Sequence, residues 1–224
     1  QLEGVLDLIY NPARTQLLLD AERLGIPAMN GLWMLVAQAK KSAEWFMDTV
    51  LPDDLIGRIH TALREEMEKI ALIGPMADEH KIIGFWSCNG RNEESVTVYE
   101  GIRNLLPNAE ITVVRGCGNL WDDTDRSGFD EAVAAAKDAD AVILCLGEPQ
   151  NYSGEGNSRI DIILPGVQNE LAAAVAAANP NTVALTFSGR PLDLTAMDKT
   201  VPAILHMWFP GTEGGNAAAN LLFG

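Results

Sequence analysis

From Lys69 onward the hydrophobic positions of the chain come in short unbroken runs rather than in alternation with polar ones. "KIALIG", "EITVVRG", "AVILCLG", "TVALTF" and "AILHMWF" are each dominated by apolar residues and bounded by glycine, proline or polar positions. Such runs predict strands covered on both faces. Between them, "SVTVYEGIRNLL", "FDEAVAAAKDAD", "VQNELAAAVAAAN" and a last segment from "EGGNAAANLLF" repeat their apolar residues every three or four positions. That spacing gathers apolar side chains on one helical face. Strands and helices in alternation predict crossovers of one hand and an α/β fold over residues 69–224, a doubly wound, mostly parallel sheet of about six strands between helices. The many alanines in the helices predict close packing of helix on sheet.

Residues 1–68 have another pattern. "GVLDLIY" reads as a strand, "ARTQLLLDAERLG" as a helix closed by Gly25, and "IPAMNG" as a short strand, which makes one βα unit. "WMLVAQAKKSAEWFMDTV" and "PDDLIGRIHTALREEMEK" predict two helices, with Pro52 opening the second. One or two strands close neither a barrel nor a sheet, so this segment reads as part of something larger.

Composition works mainly by exclusion. The 224 residues are 47% hydrophobic and 21% charged, ordinary for a globular chain with a full core. A net charge of −15 argues against nucleic acid and against an anionic membrane surface as partners, and favours neutral or cationic ligands. No apolar run reaches the roughly 18 residues that a membrane span needs. The chain opens on Gln1 without a secretory signal and reads as a processed product, a fragment or an incomplete record, which leaves cytoplasm, periplasm and secretion all open. Cys88, Cys117 and Cys145 have no CxxC spacing and are odd in number, so neither a zinc knuckle nor a disulfide framework is indicated. Cys145 and His206 lie in apolar strands and read as core residues, the histidine with its hydrogen bond satisfied. His60 and His80 lack partners at metal-ligand spacing, and "WDDTD", Trp121 to Asp125, lacks the glycine of a calcium loop and reads as a solvated turn. No metal site and no cofactor are expected.

The candidate chemistry lies in "NYSGEGNSRIDIILPGVQ", Asn151 to Gln168, which follows a buried strand and sets Glu155 between Gly154 and Gly156. Glycines on both sides strip side-chain cover and permit unusual backbone angles, so the loop is expected to be mobile and to present an acid. Glu148 closes the preceding strand at its carboxyl end, where α/β sheets place ligands; it serves a ligand or anchors the loop. Arg159 is expected to pair with Glu155 or an acidic neighbour and hold the loop, and Asp161 to tether its backbone. Trp86, in "GFWSCNG", offers its ring face to a ligand or packs on Phe85, and Trp208 with Phe209 carry the same two readings. The turn Gly189 to Pro191 reads as a structural stop. Neither "IGPMAD" nor "SGEGNSR" fits a phosphate-binding glycine pattern, and Glu155 would repel a phosphate. No nucleophile elbow is present.

Taken together and in this order, "KIALIGPMADEHKIIGFWSCNG", "ESVTVYEGIRNLL", "GFDEAVAAAKDADAVILCLGE", "SGEGNSRIDIILPGVQNEL", "SGRPLDL" and "WFPGTEGGNAAANLLFG" resemble the C-terminal α/β sandwich domain of glycoside hydrolase family 3, bacterial β-glucosidase type. The resemblance runs from Lys69 to Gly224. Residues 1–31 resemble, more weakly, an internal βα stretch of the family's N-terminal (β/α)8 barrel, and residues 50–68 its helical end. Most of the barrel is absent, and nothing in residues 1–68 matches the family's aspartate nucleophile in its Ser-Asp-Trp context or its sugar-gripping Lys-His pair. The resemblance implies cofactor-free retaining hydrolysis of terminal β-linked glucosyl units, from a β-glucoside or short β-linked oligosaccharide, with Glu155 as general acid/base and a barrel supplied in cis or trans. Retention requires two carboxylates roughly 5 to 5.5 Å apart, one of which this chain lacks. Two other readings stay beside it, a non-catalytic sugar-binding or accessory module and a flavodoxin-like nucleotide-binding domain. A homo-oligomer is left open.

Overall fold

The computed structural model describes residues 5–6, 16–29 and 69–223, with single positions 40, 41, 44, 50, 52 and 54. The chain divides into two compact units, residues 1–66 with 220–224, and residues 67–219. Among the described residues, no helix is long and apolar enough to cross a membrane.

In the first unit, β1 (Val5–Leu6) pairs in parallel with β2 (Ala28–Met29), and α1 (Gln16–Arg23) joins them. Leu18 and Ala21 form the buried stripe of α1. The helix ends because Gly25 adopts φ +66°, a conformation that lets the Ile26 amide donate back to Ala21 and the Gly25 amide to Glu22, both at 2.9 Å. This is the Schellman closure expected of a glycine just past a helix. The two longer helices read from residues 33–50 and 52–69 lie mostly outside the described residues. Lys40, Lys41 and Glu44 are helical, and Lys40 pairs with Glu44 one turn on at 3.3 Å.

The second unit is built on a five-stranded parallel sheet: β3 (Lys69–Ile73), β4 (Glu110–Val114), β5 (Ala141–Gly147), β6 (Thr182–Phe187) and β7 (Ala203–His206). These are the five apolar runs of the sequence. The helices are α2 (Val98–Leu105), α3 (Phe129–Asp138), α4 (Gln168–Ala178), the short α5 (Thr195–Asp198) and α6 (Gly214–Phe223). A capping box starts α2: the Glu100 amide donates to Thr97 Oγ1 at 3.1 Å while Glu100 Oε2 accepts from the Thr97 amide at 2.9 Å.

Spatial order is β4-β3-β5-β6-β7, so the chain first winds outward from β3 to β4 and then crosses back to β5. That reversal makes the carboxyl ends of β3 and β5 the switch point at which α/β sheets open a crevice. All seven residues of β5 are buried. On one face Ala71, Ile73, Val142 and Leu144 pack with Ala132 and Ala136 of α3 and with Leu171 and Val175 of α4. The alternate set, Ile70, Leu72 and Ile143, is buried on the opposite face. Cover on both faces does not extend to the edges. Glu110, Thr112 and Val113 of β4 are exposed, as is Ala203 of β7, because an outermost strand runs beyond the helices that cover the centre.

Candidate functional site

Glu148 is the first residue beyond β5, its amide bonded to the Phe187 carbonyl at 2.9 Å and its side chain wholly buried. An isolated carboxylate there would be expensive, since it has lost its water. It is satisfied instead by three side chains. Arg159 Nη1 donates to Oε1, while Ser188 Oγ at 2.7 Å and Arg190 Nε at 3.2 Å donate to Oε2. Arg190 Nη2 also donates to the carbonyl oxygens of Tyr152 and Asn157, the latter at 3.1 Å. The Arg159 guanidinium lies 4.0 Å above the centre of the Trp121 ring. Its Nη2 is buried with no hydrogen-bond partner among the described residues, so the π face stands in for an acceptor. The Trp121 amide donates to Tyr152 Oη at 3.0 Å, which closes the group.

The segment this hub holds is a tight turn. The Asn157 amide donates to the Gly154 carbonyl at 3.2 Å, and Gly156, third residue of the four, has φ +79°. Those two features define a type II β-turn, whose third position demands glycine or asparagine. Glu155 occupies the second corner and is exposed. In place of an arm free along its length, both stems are tied: Arg190 binds the carbonyls on either side, and Asn157 Nδ2 reaches the Ser153 carbonyl at 3.3 Å. Beside the turn, Trp121, Tyr152, Arg159 and Asp161, with Gly156 and Asn157, line an open cleft of about 500 Å³.

The residues singled out from the sequence therefore meet only in part. Arg159 uses the acidic neighbour Glu148. Glu148 anchors the loop from below. Trp86 stands edge-on to Phe85, ring centres 5.8 Å apart at 85°, and still leaves two thirds of its surface exposed. Asp161 lines the cleft and is exposed; the backbone tether expected of it falls one residue later, where the Ile162 carbonyl accepts from the Asp193 amide at 2.7 Å. His206 is satisfied at one nitrogen only, with Nδ1 2.8 Å from Thr186 Oγ1 and a buried Nε2 that has no partner among the described residues. Burial holds its pKa below the ordinary value. Its ring meets Trp208, which has φ +56° and whose carbonyl accepts from the Ser188 amide at 3.3 Å. Burial pushes the Cys145 thiol far up, as suits an inert core residue.

Sequence reasoning missed Arg190 and Trp121, read as a turn stop and a solvated turn. Ser188 to Arg190 follow β6, the neighbour of β5, so the rule that pointed to Glu148 at a strand end would have pointed to them as well. "WDDTD" does hold a turn. The Ser127 amide and hydroxyl donate to Asp125 at 2.9 and 3.0 Å and hold its carboxyl below the usual range.

Residues 63–224, which contain the sheet, the Glu148 hub and the Glu155 turn, match the C-terminal domain of glycosyl hydrolase family 3. The chain belongs to glycosyl hydrolase family 3. Among its relatives is the periplasmic beta-glucosidase of Salmonella typhimurium, 37% identical over 190 residues, 76% of this chain and 25% of that protein. A beta-xylosidase of Formosa agariphila is 34% identical over 167 residues, 71% of this chain and 22% of that one. The chain thus spans about a quarter of the length of these curated relatives. The crystal structure of the Listeria innocua beta-glucosidase in complex with isofagomine superposes with a TM-score of 0.64 at 33% identity, over 71% of this chain and 22% of that one. The family 3 fold expected from the six sequence motifs is thereby established for the α/β part.

Proposed function

We propose that this chain supplies the acid/base part of a retaining β-glucosidase. Glu155 donates its proton to the glycosidic oxygen as the leaving group departs, and the resulting carboxylate then takes a proton from the water that releases the sugar. The observation that carries this reading is the placement of Glu155: exposed at the corner of a hydrogen-bonded turn whose stems are tied to Arg190, itself paired with the buried Glu148. A carboxylate so held projects outward at a defined place and can serve a sugar bound on another surface. The attacking aspartate belongs to a barrel, in cis or trans, of which residues 1–68 represent a part. Arg159 and Glu148 support the turn, and Trp86, with its exposed ring, faces the substrate side. Terminal β-linked glucosyl units are the substrates, a choice favoured by relatives that are named beta-glucosidases.

The test is Glu155→Ala in the chain joined to a family 3 barrel, assayed on aryl glucosides with and without azide. The expected result is a large loss of turnover and its recovery by azide, which attacks the trapped glycosyl intermediate without needing deprotonation. Unchanged hydrolysis of alkyl glucosides by the variant would remove Glu155 from the reaction.

A further inference from the structure

We infer that Phe85 is a positioning residue for Glu155, an inference that rests on the reading of Glu155 as proton donor. The two glycines that flank the acid have different surroundings. A Cβ on Gly156 would meet nothing within 4 Å, whereas one on Gly154 would overlap the Phe85 ring, with Cε1 at 2.8 Å and Cγ at 2.9 Å. Gly154 is therefore glycine because its backbone, at φ +110°, lies directly against an aromatic ring. Gly156 is glycine because the turn needs its φ.

Phe85 has no evident task in the core. Nearly half of its surface, 47%, is exposed, and its ring meets Trp86 edge-on at the rim of the domain. Its neighbour Gly84, at φ +88°, faces Phe209, whose Cβ would lie 3.4 Å from a Cβ added there. The same Phe209 ring approaches Gly189, against which Ser153 packs. The stem before the acid is thus seated on two surfaces at successive residues, Ser153 on Gly189 and Gly154 on Phe85. The residue after the acid has open space beside it.

Glu155 is thus carried from a fixed end at Gly154, and the Phe85 ring is the stop that sets where that end stands. This matters because a proton donor has to come within hydrogen-bond reach of the leaving oxygen, about 2.6 to 3.2 Å. A misplacement of about 1 Å can cost on the order of 100-fold in rate. Deleting the ring opens a gap beside Gly154 into which the turn can tip, while Arg190 keeps the stems attached.

The experiment compares Phe85→Ala, Phe85→Tyr, Glu155→Ala and the double variant Phe85→Ala/Glu155→Ala in the chain joined to a family 3 barrel. Substrates are a methyl glucoside, whose departure needs a proton, and a dinitrophenyl glucoside, whose departure does not. Phe85→Ala is expected to slow the methyl glucoside about 10- to 100-fold and to leave formation of the glycosyl intermediate from the dinitrophenyl glucoside within about 2-fold. Phe85→Tyr restores the rate, and Phe85→Ala adds nothing in the Glu155→Ala background. In the unjoined chain, Phe85→Ala speeds hydrogen exchange at the Asn157 amide, which closes the turn. Equal slowing of both substrates, an unchanged methyl glucoside rate, or an additive double variant overturns the role of Phe85. A Glu155→Ala variant that still cleaves methyl glucoside at the parent rate instead overturns the acid assignment itself.

Discussion

Arg190 and Glu148 meet through a single edge, Nε to Oε2 at 3.2 Å, which leaves Nη2 of the same guanidinium to hold the carbonyl oxygens of Tyr152 and Asn157. One buried carboxylate thereby fixes the orientation of the group that ties both stems of the acid-bearing turn. The turn's position is inherited from the end of β5 through two side chains.

Glu148→Ala removes the acceptor that two largely buried guanidinium groups share. Breaking a buried pair from one side costs about 3 to 5 kcal/mol, because the remaining charge is left without a partner. Urea unfolding is expected to show a loss of that order, with Glu148→Gln retaining part of the stability through its amide oxygen. A loss below about 1 kcal/mol would place this pair with ordinary surface ion pairs.

At the turn, Gly156→Ala introduces a methyl group into open space, so its cost comes only from the backbone angle, about 1 to 2 kcal/mol. Gly156→Asn is expected to recover most of this, since asparagine tolerates that angle. Gly154→Ala is expected to cost more than Gly156→Ala, as it adds overlap with Phe85 to the strain at φ +110°. Unfolding midpoints of the three variants check the order.

Helix α2 crosses α6 glycine on glycine. A Cβ at Gly101 would overlap the Gly215 backbone and lie 2.8 Å from the Asn216 nitrogen. Alanine in a helix interior gains about 1 kcal/mol over glycine, while overpacking against backbone costs about 1 to 3 kcal/mol. The clash wins, and Gly101→Ala is expected to lower the melting temperature. A rise would show that the two helices can part without loss.

His206 titrates below its ordinary pKa because burial disfavours its charged form. The unfolded chain therefore binds this proton more readily than the folded one. Its contribution is at its best above the ordinary pKa of about 6.5 and declines as pH falls from there toward the lower folded value. Unfolding measured between neutral and mildly acidic pH should show a smaller acid-side loss in His206→Gln than in the parent. Identical pH dependence in the two proteins would contradict this.

Much of the sheet was legible in the sequence because central parallel strands must be apolar on both sides, a demand that leaves "AVILCLG" few other fates. The prediction weakened at β4, whose exposed Val113 looks no different in sequence from a covered valine. That an acid stands between two glycines at position 155, and that Glu148 closes a strand, was legible as well. The role of Arg190 was not, since its carboxylate lies 42 residues away in the chain and only the adjacency of β5 and β6 brings them together.

Local chemistry by itself determined which segments are strands and helices, where glycine closes α1, and that an acid stands between two glycines at position 155. Tertiary structure alone decided that these glycines differ, one pressed on Phe85 and the other shaping a turn. It also decided that Glu148 is shared by two arginines. The reason is physical: backbone preference is a property of neighbouring residues, whereas a contact or a buried charge depends on what the sheet order sets beside it.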